Sequence, residues 1–366
     1  MTIGIGGAGS RLALKVDRDA TVVNVSQTEL AKSEAKNRLL AVVHAAQGQL
    51  RGSRKDPHIG ESAFQSIRQE LLHLTRGDLV VSSTGGGTGN GITTCLLREL
   101  AGAADLPVEQ RTRFALILPY AKLEPSEFVL NTTEFLQGPL SDAIDSGNTG
   151  NIFLFSNRLK FENRLPEDEY NDKLAASLNM LLALPEKNDA LKLLDGHIDH
   201  EDFDLFLSKP YFNYFTYFHH DPEQPFGKQL DKHPNPLLLP PDNPIEALFV
   251  YEVPEGGDPR PFYDILEYFA PQNVNPVFSV VENPKLKKPF ITLSLLYSRK
   301  PDELVEDFNR VSQEHAEAKV RKSIEQHVNL PKLEVNLQTE ARKMARQQGA
   351  SEDDILQILK RLGKLK

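Results

Sequence analysis

Cysteine is almost missing from this sequence, which contains Cys95 and no other. A single cysteine excludes a disulfide within the chain and gives no basis for a zinc site built on several cysteines. Such cysteine usage fits a reducing compartment. The chain also lacks any apolar run approaching the roughly 20 residues that span a bilayer, and it does not open like a signal peptide. We therefore expect a soluble, cytoplasmic protein that does not insert into membranes.

Basic residues are outnumbered, with 42 Lys and Arg against 51 Asp and Glu, and the formal charge of −9 gives no overall attraction to nucleic acid. The exception is the segment 341–366, where seven basic minus three acidic residues leave a local charge of +4. An amphipathic stripe runs within it from Ile355 to Leu362. This basic tail is either a solvated terminal helix or a docking segment for an adaptor protein, a neighbouring subunit or DNA.

The composition is otherwise that of a globular protein, because 40% of the 366 residues are hydrophobic and 25% are charged. Near the N-terminus, a β-branched run at 2–5 leads into a glycine turn, an apolar helical pattern and a second run at 21–23. This order is typical of a βαβ unit with buried parallel strands. Further core strands are predicted at 79–81, 114–118 and 152–155, with helical patterns between them. The pattern predicts a three-layer α/β domain.

The rest of the chain has a different organisation. A long helix is predicted over 169–195, which Pro185 should end or kink. The aromatic run from Tyr211 to Phe218 is compatible with either a strand or a helix, and the seven prolines between 221 and 244 indicate an irregular connection. Strands are predicted at 247–251, 277–281 and 290–297, and a charged helix is predicted at 302–327. These elements suggest a smaller second domain with a helical C-terminal segment.

The most informative motif is Gly85-Gly86-Gly87-Thr88-Gly89-Asn90-Gly91, which lies between the strand at 79–81 and the helix predicted at 92–100. Five glycines in seven positions are unfavourable in backbone entropy, and a structural turn needs only one or two. Backbone N–H groups of such a loop, at the start of a helix, form an anion-binding cradle. No Gly-Lys-Ser/Thr follows, so this is not a Walker A loop. The motif predicts a phosphate-binding loop.

A second glycine turn, Gly4-Ile5-Gly6-Gly7-Ala8-Gly9, is a weaker signal. Alone it suggests a Rossmann-type NAD(P) oxidoreductase, in which an acidic residue after the second strand holds a ribose. Asn24 occupies that position, which argues against the nicotinamide interpretation. Two glycine-rich loops in one sheet instead suggest one triphosphate held from two sides.

The heptapeptide 85–91 is similar to the signature loop of the tubulin/FtsZ superfamily, and the neighbouring segments follow the family order. Segments 4–9, 23–27 and 55–60 resemble its first three nucleotide loops, 118–124 resembles its ribose-side loop, and 155–157 resembles the loop whose asparagine contacts guanine. The resemblance extends over roughly residues 1–210 and implies a GTP/GDP site with Mg²⁺. The nucleotide-binding residues that it implies are Gly6, Gly7, Ala8, Ser10, Asn24, Gly60, Gly85, Gly86, Gly87, Thr88, Gly89, Asn90, Glu124, Asn157 and Asn171, with Asp172 as the alternative to Asn171. It assigns no metal ligand.

The resemblance also implies a catalytic role for Asp199 and Asp202. In the family, a loop after the central helix carries two acidic residues three positions apart and enters the nucleotide pocket of the next subunit. Carboxylates there would orient the water that attacks the phosphoanhydride. His197 stands where FtsZ usually has asparagine, and Phe128 stands where FtsZ has an arginine near the phosphates. These departures favour TubZ-type plasmid or phage members, or archaeal FtsZ-like members, over a division FtsZ.

We therefore expect an α/β fold: a parallel-sheet GTPase domain (1–168) with a long central helix (169–196), then a smaller α+β domain (197–300) and a helical C-terminal tail (301–366). The expected function is a GTP-dependent cytoskeletal filament that assembles head to tail and hydrolyses GTP at the subunit interface. Two alternatives are the NAD(P) oxidoreductase and a nucleotide-binding scaffold without turnover. Whether a filament serves plasmid segregation, phage positioning, division or cell shape is left open by the sequence.

Overall fold

The computed structural model describes residues 1–45, 48–49, 52–232, 235 and 243–326. The chain divides into two compact units, Met1–His315 and Ala316–Lys366. Of the second unit, the described part is 316–326, the end of the last helix. The basic tail at 341–366 lies outside the described residues. Within the described part of the chain, no helix combines the length and the hydropathy needed to cross a bilayer.

Strands supply the centre of the first unit. They are β1 (Thr2–Ile5), β2 (Thr21–Asn24), β3 (Asn37–Leu40), β4 (His44–Ala45), β5 (Gly48–Gln49), β6 (Leu79–Ser83), β7 (Thr112–Leu118), β8 (Thr149–Ser156), β9 (Lys192–Gly196), β10 (Phe212–His219), β11 (Glu246–Val253), β12 (Val277–Glu282) and β13 (Phe290–Tyr297). All except the small β4–β5 hairpin belong to one sheet of eleven strands, in the order β3-β2-β1-β6-β7-β8-β10-β13-β11-β12-β9.

Helices connect most of these strands. They are α1 (Gly6–Val16), α2 (Gln27–Lys32), α3 (Pro57–Leu74), α4 (Gly87–Ala101), α5 (Ser126–Gln137), α6 (Pro139–Asp145), α7 (Arg158–Glu162), α8 (Glu167–Leu182), α9 (Leu184–Ala190), α10 (His200–Leu207), α11 (Phe226–Lys232), α12 (Phe262–Phe269) and α13 (Asp302–Gln326). Short 3-10 turns lie at Val108–Gln110 and Ala270–Gln272.

The sheet is parallel from β3 to β10 and mixed beyond it. β10 joins β8 through the single registered pair Phe212 and Ile152, and it then pairs antiparallel with β13 along its full length. β8 is buried at all eight residues, which is typical of a parallel strand covered by helices on both faces. α1 packs against α8, and α3 packs against α4. The predicted fold class, a large and mostly parallel α/β sheet flanked by helices, is confirmed.

Some predictions for the second half of the chain are corrected. Pro185 does interrupt the central helix, since α8 ends at Leu182 and α9 begins at Leu184. However, 192–196 form β9 at the edge of the sheet rather than the end of a helix. Backbone pairing with β12 stabilises this strand, and leucine spacing alone does not reveal such a distant partner. The strands assigned to a smaller domain continue the same sheet, and the boundaries at 168, 196 and 300 remain predictions.

Candidate functional site

Five parallel strands end together and form what we call the carboxyl edge of the sheet. β1, β2, β6, β7 and β8 finish at this edge. The last residues of these strands and the segments that follow them carry Gly6, Asn24, Thr84, Tyr120 and Asn157. Because parallel strands present their carboxyl ends on one side, the predicted nucleotide segments meet here. The structure thus brings together the glycine turns, the ribose-side loop and the base-side loop that are separate in the sequence.

α1 begins at the carboxyl edge without any intervening loop. Gly6 is the first helical residue and has a φ of +73°, which favours glycine. A Cβ on Gly6 would lie 2.8 Å from the backbone nitrogen of Gly89, so the start of α1 touches the first turn of α4. Ser10 is buried and donates its hydroxyl to the carbonyl oxygen of Gly4 at 3.2 Å. The two glycine-rich segments therefore form one continuous surface.

α4 begins five residues earlier than predicted, at Gly87 rather than Ile92. Most of its glycines are explained by packing. A Cβ on Gly87 would lie 2.6 Å from the backbone nitrogen of Asp56, and one on Gly89 would lie 2.9 Å from the carbonyl oxygen of Ser83. The close backbone packing that glycine allows at these positions offsets its low helix propensity. The expectation that a structural turn needs only one or two of these glycines is wrong.

Among the glycines of the two segments 4–9 and 85–91, packing does not require Gly7 and Gly86. A Cβ on Gly86 would meet only the Ser83 hydroxyl, at 3.4 Å, and Gly86 has an ordinary extended conformation with φ −84° and ψ 163°. A Cβ on Gly7 would meet only the ends of Glu29 and Arg11. Both glycines are partly exposed, unlike the glycines around them. They face the open side of the cradle at the starts of α1 and α4, where unpaired backbone N–H groups favour an anion.

The remaining polar residues of the motif hold the cradle in shape. Asn90 is buried and donates its side-chain amide to the carbonyl oxygens of Thr84 and Asn131, at 2.5 and 3.0 Å. Thr88 is also buried within the first turn of α4. Gly85 packs against Phe128, because a Cβ at this position would lie 2.9 Å from the Phe128 Cβ. Asn90 and Gly85 are therefore supports of the cradle in this structure.

A cavity of about 540 Å³ borders the cradle between α1, β2 and α2. Its lining includes three predicted nucleotide residues, Gly7, Ser10 and Asn24. Asn24 donates to Glu29 Oε2 at 2.7 Å and accepts from the backbone N–H of Ser26 at 3.1 Å. The size is typical of small-molecule sites. Sequence reasoning missed Glu29, although Ser26 and Glu29 have the spacing of a helix capping box.

Glu124 and Asn157 contact each other directly at the carboxyl edge. The Asn157 amide donates to both carboxylate oxygens of Glu124, at 3.2 and 3.0 Å, and the backbone N–H of Tyr120 donates to Glu124 at 2.5 Å. Burial raises the pKa of Glu124, and these donors oppose the rise. Because its N–H groups face Glu124, Asn157 presents its carbonyl oxygen as an acceptor. Such an acceptor matches the N–H donors of guanine.

Of three predicted base-side and phosphate-side residues, two are buried and the third is exposed but held in an ion pair. Asn171 is buried within α8, and the alternative residue Asp172 pairs with Lys15 of α1 at 2.5 Å. Gly60 is buried in α3, and a Cβ there would lie 2.5 Å from the Gly87 carbonyl oxygen. Gly60 therefore permits close packing of α3 on α4. The nucleotide role predicted for these residues remains a prediction.

Asp199 and Asp202 lie at the start of α10, and their carboxylates differ in role. Asp199 is the N-cap of α10, since its side chain accepts the backbone N–H of Asp202 at 2.7 Å. Asp202 is exposed, and no described residue forms a hydrogen bond or an ion pair with its carboxylate. An N-cap aspartate stabilises a helix by about 1 kcal/mol. Helix capping thus accounts in part for the aspartate at position 199, whereas the Asp202 carboxylate is available for a catalytic role.

α10 packs where the parallel strands β7 and β8 begin, at the opposite end of these strands from the cradle. We call this end of the sheet the amino edge. Arg113 near the start of β7 pairs with Asp204 at 2.7 Å, and Asn151 near the start of β8 donates to the carbonyl oxygen of Phe206 at 3.1 Å. β7 and β8 contain seven and eight residues. At about 3.3 Å per residue these strands set the two edges roughly 20–25 Å apart. The structure therefore does not bring the acidic pair and the cradle together within one chain.

The other reactive side chains in the described part of the chain do not form a site. The described residues contain no group of three or more His, Cys, Asp or Glu side chains placed to hold a metal ion. Cys95 is half-buried in α4, and burial raises the pKa of its thiol to about 11. It is therefore a thiol and not a nucleophilic thiolate at neutral pH.

Comparisons with known proteins identify the fold. No family model matches the sequence, and no match is found among curated proteins. Matching solved structures include CetZ2 from Haloferax volcanii, in a protofilament with bound GTPγS (TM-score 0.64, 20% identity, 87% of this chain and 98% of that chain). A GTPγS-form protofilament of Bacillus thuringiensis serovar israelensis TubZ also matches (TM-score 0.70, 13% identity, 88% of this chain and 93% of that chain). An empty FtsZ dimer of M. jannaschii matches as well (TM-score 0.58, 17% identity, 81% of this chain and 87% of that chain).

The architecture and the carboxyl edge define a class, the α/β proteins with a glycine-rich cradle at the carboxyl ends of parallel strands. Within that class the chain has the tubulin/FtsZ fold, as its resemblance to this superfamily predicted. Structures of the TubZ and archaeal CetZ types are among those that share it.

Proposed function

We propose that this protein binds GTP, assembles head to tail with copies of itself and hydrolyses GTP where two subunits meet. The observation that carries the proposal is the position of two half-sites at opposite edges of one sheet. α1 and α4 begin at the carboxyl edge, while α10 packs on the amino edge. One chain therefore offers a phosphate cradle at one end and carboxylates at the other, and a second copy supplies what the first lacks.

Assembly follows from this arrangement by geometry. A contact between the carboxyl edge of one copy and the amino edge of the next joins unlike surfaces, so it propagates as a filament unless the rotation closes a ring. The CetZ2 and TubZ structures that share the fold are protofilaments with GTPγS, which supports the same assembly here. GTP at the interface adds charge and surface to one side of the contact. Its hydrolysis separates the terminal phosphate and so changes the charge and the surface of that side.

The residues divide the chemistry between neighbouring subunits. Backbone N–H groups at the starts of α1 and α4 bind the phosphate oxygens and stabilise negative charge as it develops. Asp202 of the next subunit orients the attacking water and accepts its proton. Asp199 caps α10 and thereby fixes the position of Asp202.

The donor set beside the cradle fits Mg²⁺. This ion is usually held by one or two carboxylates together with phosphates. Glu29 lies beside Gly7, with its Oε2 3.3 Å from the point where a Cβ on Gly7 would be, and it is hydrogen-bonded to Asn24. Glu29 and Asn24 would hold the ion, which neutralises phosphate charge when bound.

We expect GTP to bind better than ATP. The Asn157 carbonyl oxygen would accept from N1–H and the C2 amino group of guanine, whereas adenine has no hydrogen on N1 and no amino group on C2 and cannot make the same contact. Asn171 or Asp172 on α8 would supply the second base contact. Competition between GTP and ATP for the purified protein measures this preference, and an equal affinity would contradict it.

The test of the proposal is phosphate release measured against protein concentration. A shared site predicts almost no turnover below the assembly concentration and a steep rise above it. Asp202→Asn should lower turnover by roughly 100-fold while GTP binding is retained, because a water-positioning group is lost. The matched control is Glu201→Gln, which neutralises the adjacent exposed acid of the same helical turn. A rate per subunit that is independent of concentration would place the whole site in one chain.

The alternatives are distinguished by the same measurement. A nucleotide-binding scaffold would bind GTP and assemble without phosphate release. The NAD(P) oxidoreductase is not favoured, because the tubulin/FtsZ fold accounts for both glycine segments. A cytoplasmic location and a docking role of the tail at 341–366 for an adaptor or DNA remain proposals.

A further inference from the structure

The segment 196–198 joins the end of β9 to the acidic turn of α10. Gly196 has a φ of +58°, and a Cβ there would lie 2.4 Å from the carbonyl oxygen of Phe278, so the turn away from the sheet requires glycine. Ile198 is completely buried, and Asp199 follows it directly as the N-cap of α10. The position of Asp202 therefore depends on where the backbone at Ile198 is held.

Asn188 of α9 holds this backbone. It is 3% exposed, and its side-chain amide donates to the carbonyl oxygen of Ile198 at 2.9 Å. Its Oδ1 accepts the hydroxyl of Ser279 on β12, which is also buried. Among the described residues, no other side chain from outside 195–199 hydrogen-bonds to the backbone of 196–198. A single amide thus joins β12 to the backbone that precedes Asp199.

α9 is itself fixed to the sheet. Lys187, the neighbour of Asn188, forms an ion pair with Glu252 of β11. The Glu252 carboxylate is buried and also accepts the side-chain amide of Asn283 at 2.6 Å. Separating this pair would leave a buried charge uncompensated, which is strongly unfavourable. Because α9 is anchored in this way, the Asn188 amide is a fixed point for the acidic turn.

We propose that Asn188 is a positioning residue for GTP hydrolysis, and this inference rests on the proposed function. Asp202 orients the water that attacks the GTP of the neighbouring subunit, and a displacement of about 1 Å in such a group can lower the rate by about 100-fold. Asn188 fixes the Ile198 carbonyl, and Asp199 then caps α10 and places Asp202. Asn188 is buried within its own chain, so it acts through this turn and does not touch the nucleotide.

The experiment compares turnover at saturating GTP with two other quantities, the GTP affinity and the protein concentration at which assembly begins with GTPγS. Asn188→Leu keeps the branched shape and removes both the donor and the acceptor. It should lower turnover by roughly 10-fold or more and leave the other two quantities within about 2-fold, because the nucleotide cradle is untouched. Ser279→Ala, which removes only the hydroxyl that orients the amide, should lower turnover by a smaller factor.

The matched control is Asn148→Leu. Asn148 is equally buried, and its side-chain amide donates to the carbonyl oxygens of Leu100 and Ala103 at 3.0 and 3.1 Å. The same substitution there removes comparable hydrogen bonds without a contact to the acidic turn. The folded Asn148→Leu protein should keep its turnover within about 2-fold of the wild type.

Three results would overturn the inference in distinguishable ways. Wild-type turnover in both Asn188→Leu and Ser279→Ala means that the amide does not position the acidic turn. A loss of GTP affinity or of assembly as large as the loss of turnover means that Asn188 only maintains the fold. If the wild-type protein releases no phosphate at any concentration, the proposed function itself is wrong, and the role of Asn188 is wrong with it.

Discussion

Gly86 and Gly89 lie three residues apart in the same motif, yet the fold requires only one of them to be glycine. A Cβ on Gly89 would lie 2.9 Å from the Ser83 carbonyl oxygen and 3.3 Å from that of Ile5, which are fixed by the sheet. A Cβ on Gly86 would meet only the Ser83 hydroxyl. Gly89 therefore serves packing, and Gly86 is free to serve a ligand.

This difference gives a paired prediction. Gly86→Val should fold normally and lose at least about 10-fold in GTP affinity, because the side chain projects where phosphate oxygens approach backbone N–H groups. Gly89→Val should be destabilised by about 1–3 kcal/mol, the usual cost of overpacking a core position. Thermal unfolding and GTP titration of both variants measure these effects. Normal GTP binding by folded Gly86→Val would remove the cradle from the proposed site.

The strands that position the site are predictable from the sequence. β-branched and apolar runs correctly predicted β1, β2, β6, β7 and β8, because strands buried on both faces need apolar side chains at consecutive positions. The start of α4 was not predictable in this way. Its glycines disfavour a helix by propensity, and contacts with α3 and β6 overcome that preference.

Elements that depend on distant partners escaped prediction. The sequence does not decide between strand and helix for β10, because its aromatic residues are buried on both faces and do not alternate. The contribution of Glu29 to the site was also missed, since the cavity beside it forms only when α1, β2 and α2 assemble. Spacing along the chain carries no information about such contacts.

His220, directly after β10, joins that strand to β11 and α11. It is buried, its Nδ1 lies 3.0 Å from the Tyr251 hydroxyl, and its ring packs edge-on against Phe226. Its Nε2 has no hydrogen-bond partner among the described residues. Burial lowers the pKa of His220 from its ordinary 6.5, and nearby Asp264 and Asp221 oppose this shift. The folded protein therefore disfavours the protonated imidazole.

This imidazole should make stability depend on pH. Below pH 6.5 the unfolded chain takes up a proton at this histidine before the folded chain does, so the free energy of unfolding decreases as the pH falls. His220→Gln removes the titrating group and should flatten this part of the profile. The matched control is His219→Gln, which changes the adjacent exposed histidine. Melting temperatures at pH 7.5 and 5.5 test the prediction, and an equal decrease in wild type and His220→Gln would refute it.

The separation of the two edges predicts that two inactive variants complement each other. Gly86→Val lacks a working cradle and retains Asp202, while Asp202→Asn retains the cradle. In a random mixed filament with equal amounts of both, about a quarter of the contacts pair a bound GTP with an intact Asp202. Phosphate release should recover to a comparable fraction of the wild-type rate.

The control for this mixture is the double variant Gly86→Val, Asp202→Asn, which cannot donate an intact carboxylate. Mixing it with Asp202→Asn should restore no activity. Recovery with the double variant, or none with the single variant, would show that the carboxylate acting on GTP does not come from the neighbour.

The opposed edges would also give the proposed filament a direction. Every subunit in it would point the same way, so one tip would display an open cradle and the other would display the exposed acids of α10. Nucleotide would then enter or leave freely at the first tip only, which would make growth and shrinkage there differ from those at the other end. A partner that recognises α10 meets one tip and not the other. The filament would be structurally polar. Cargo attached to one tip would therefore move in a direction that is set by the strand order within each subunit's sheet.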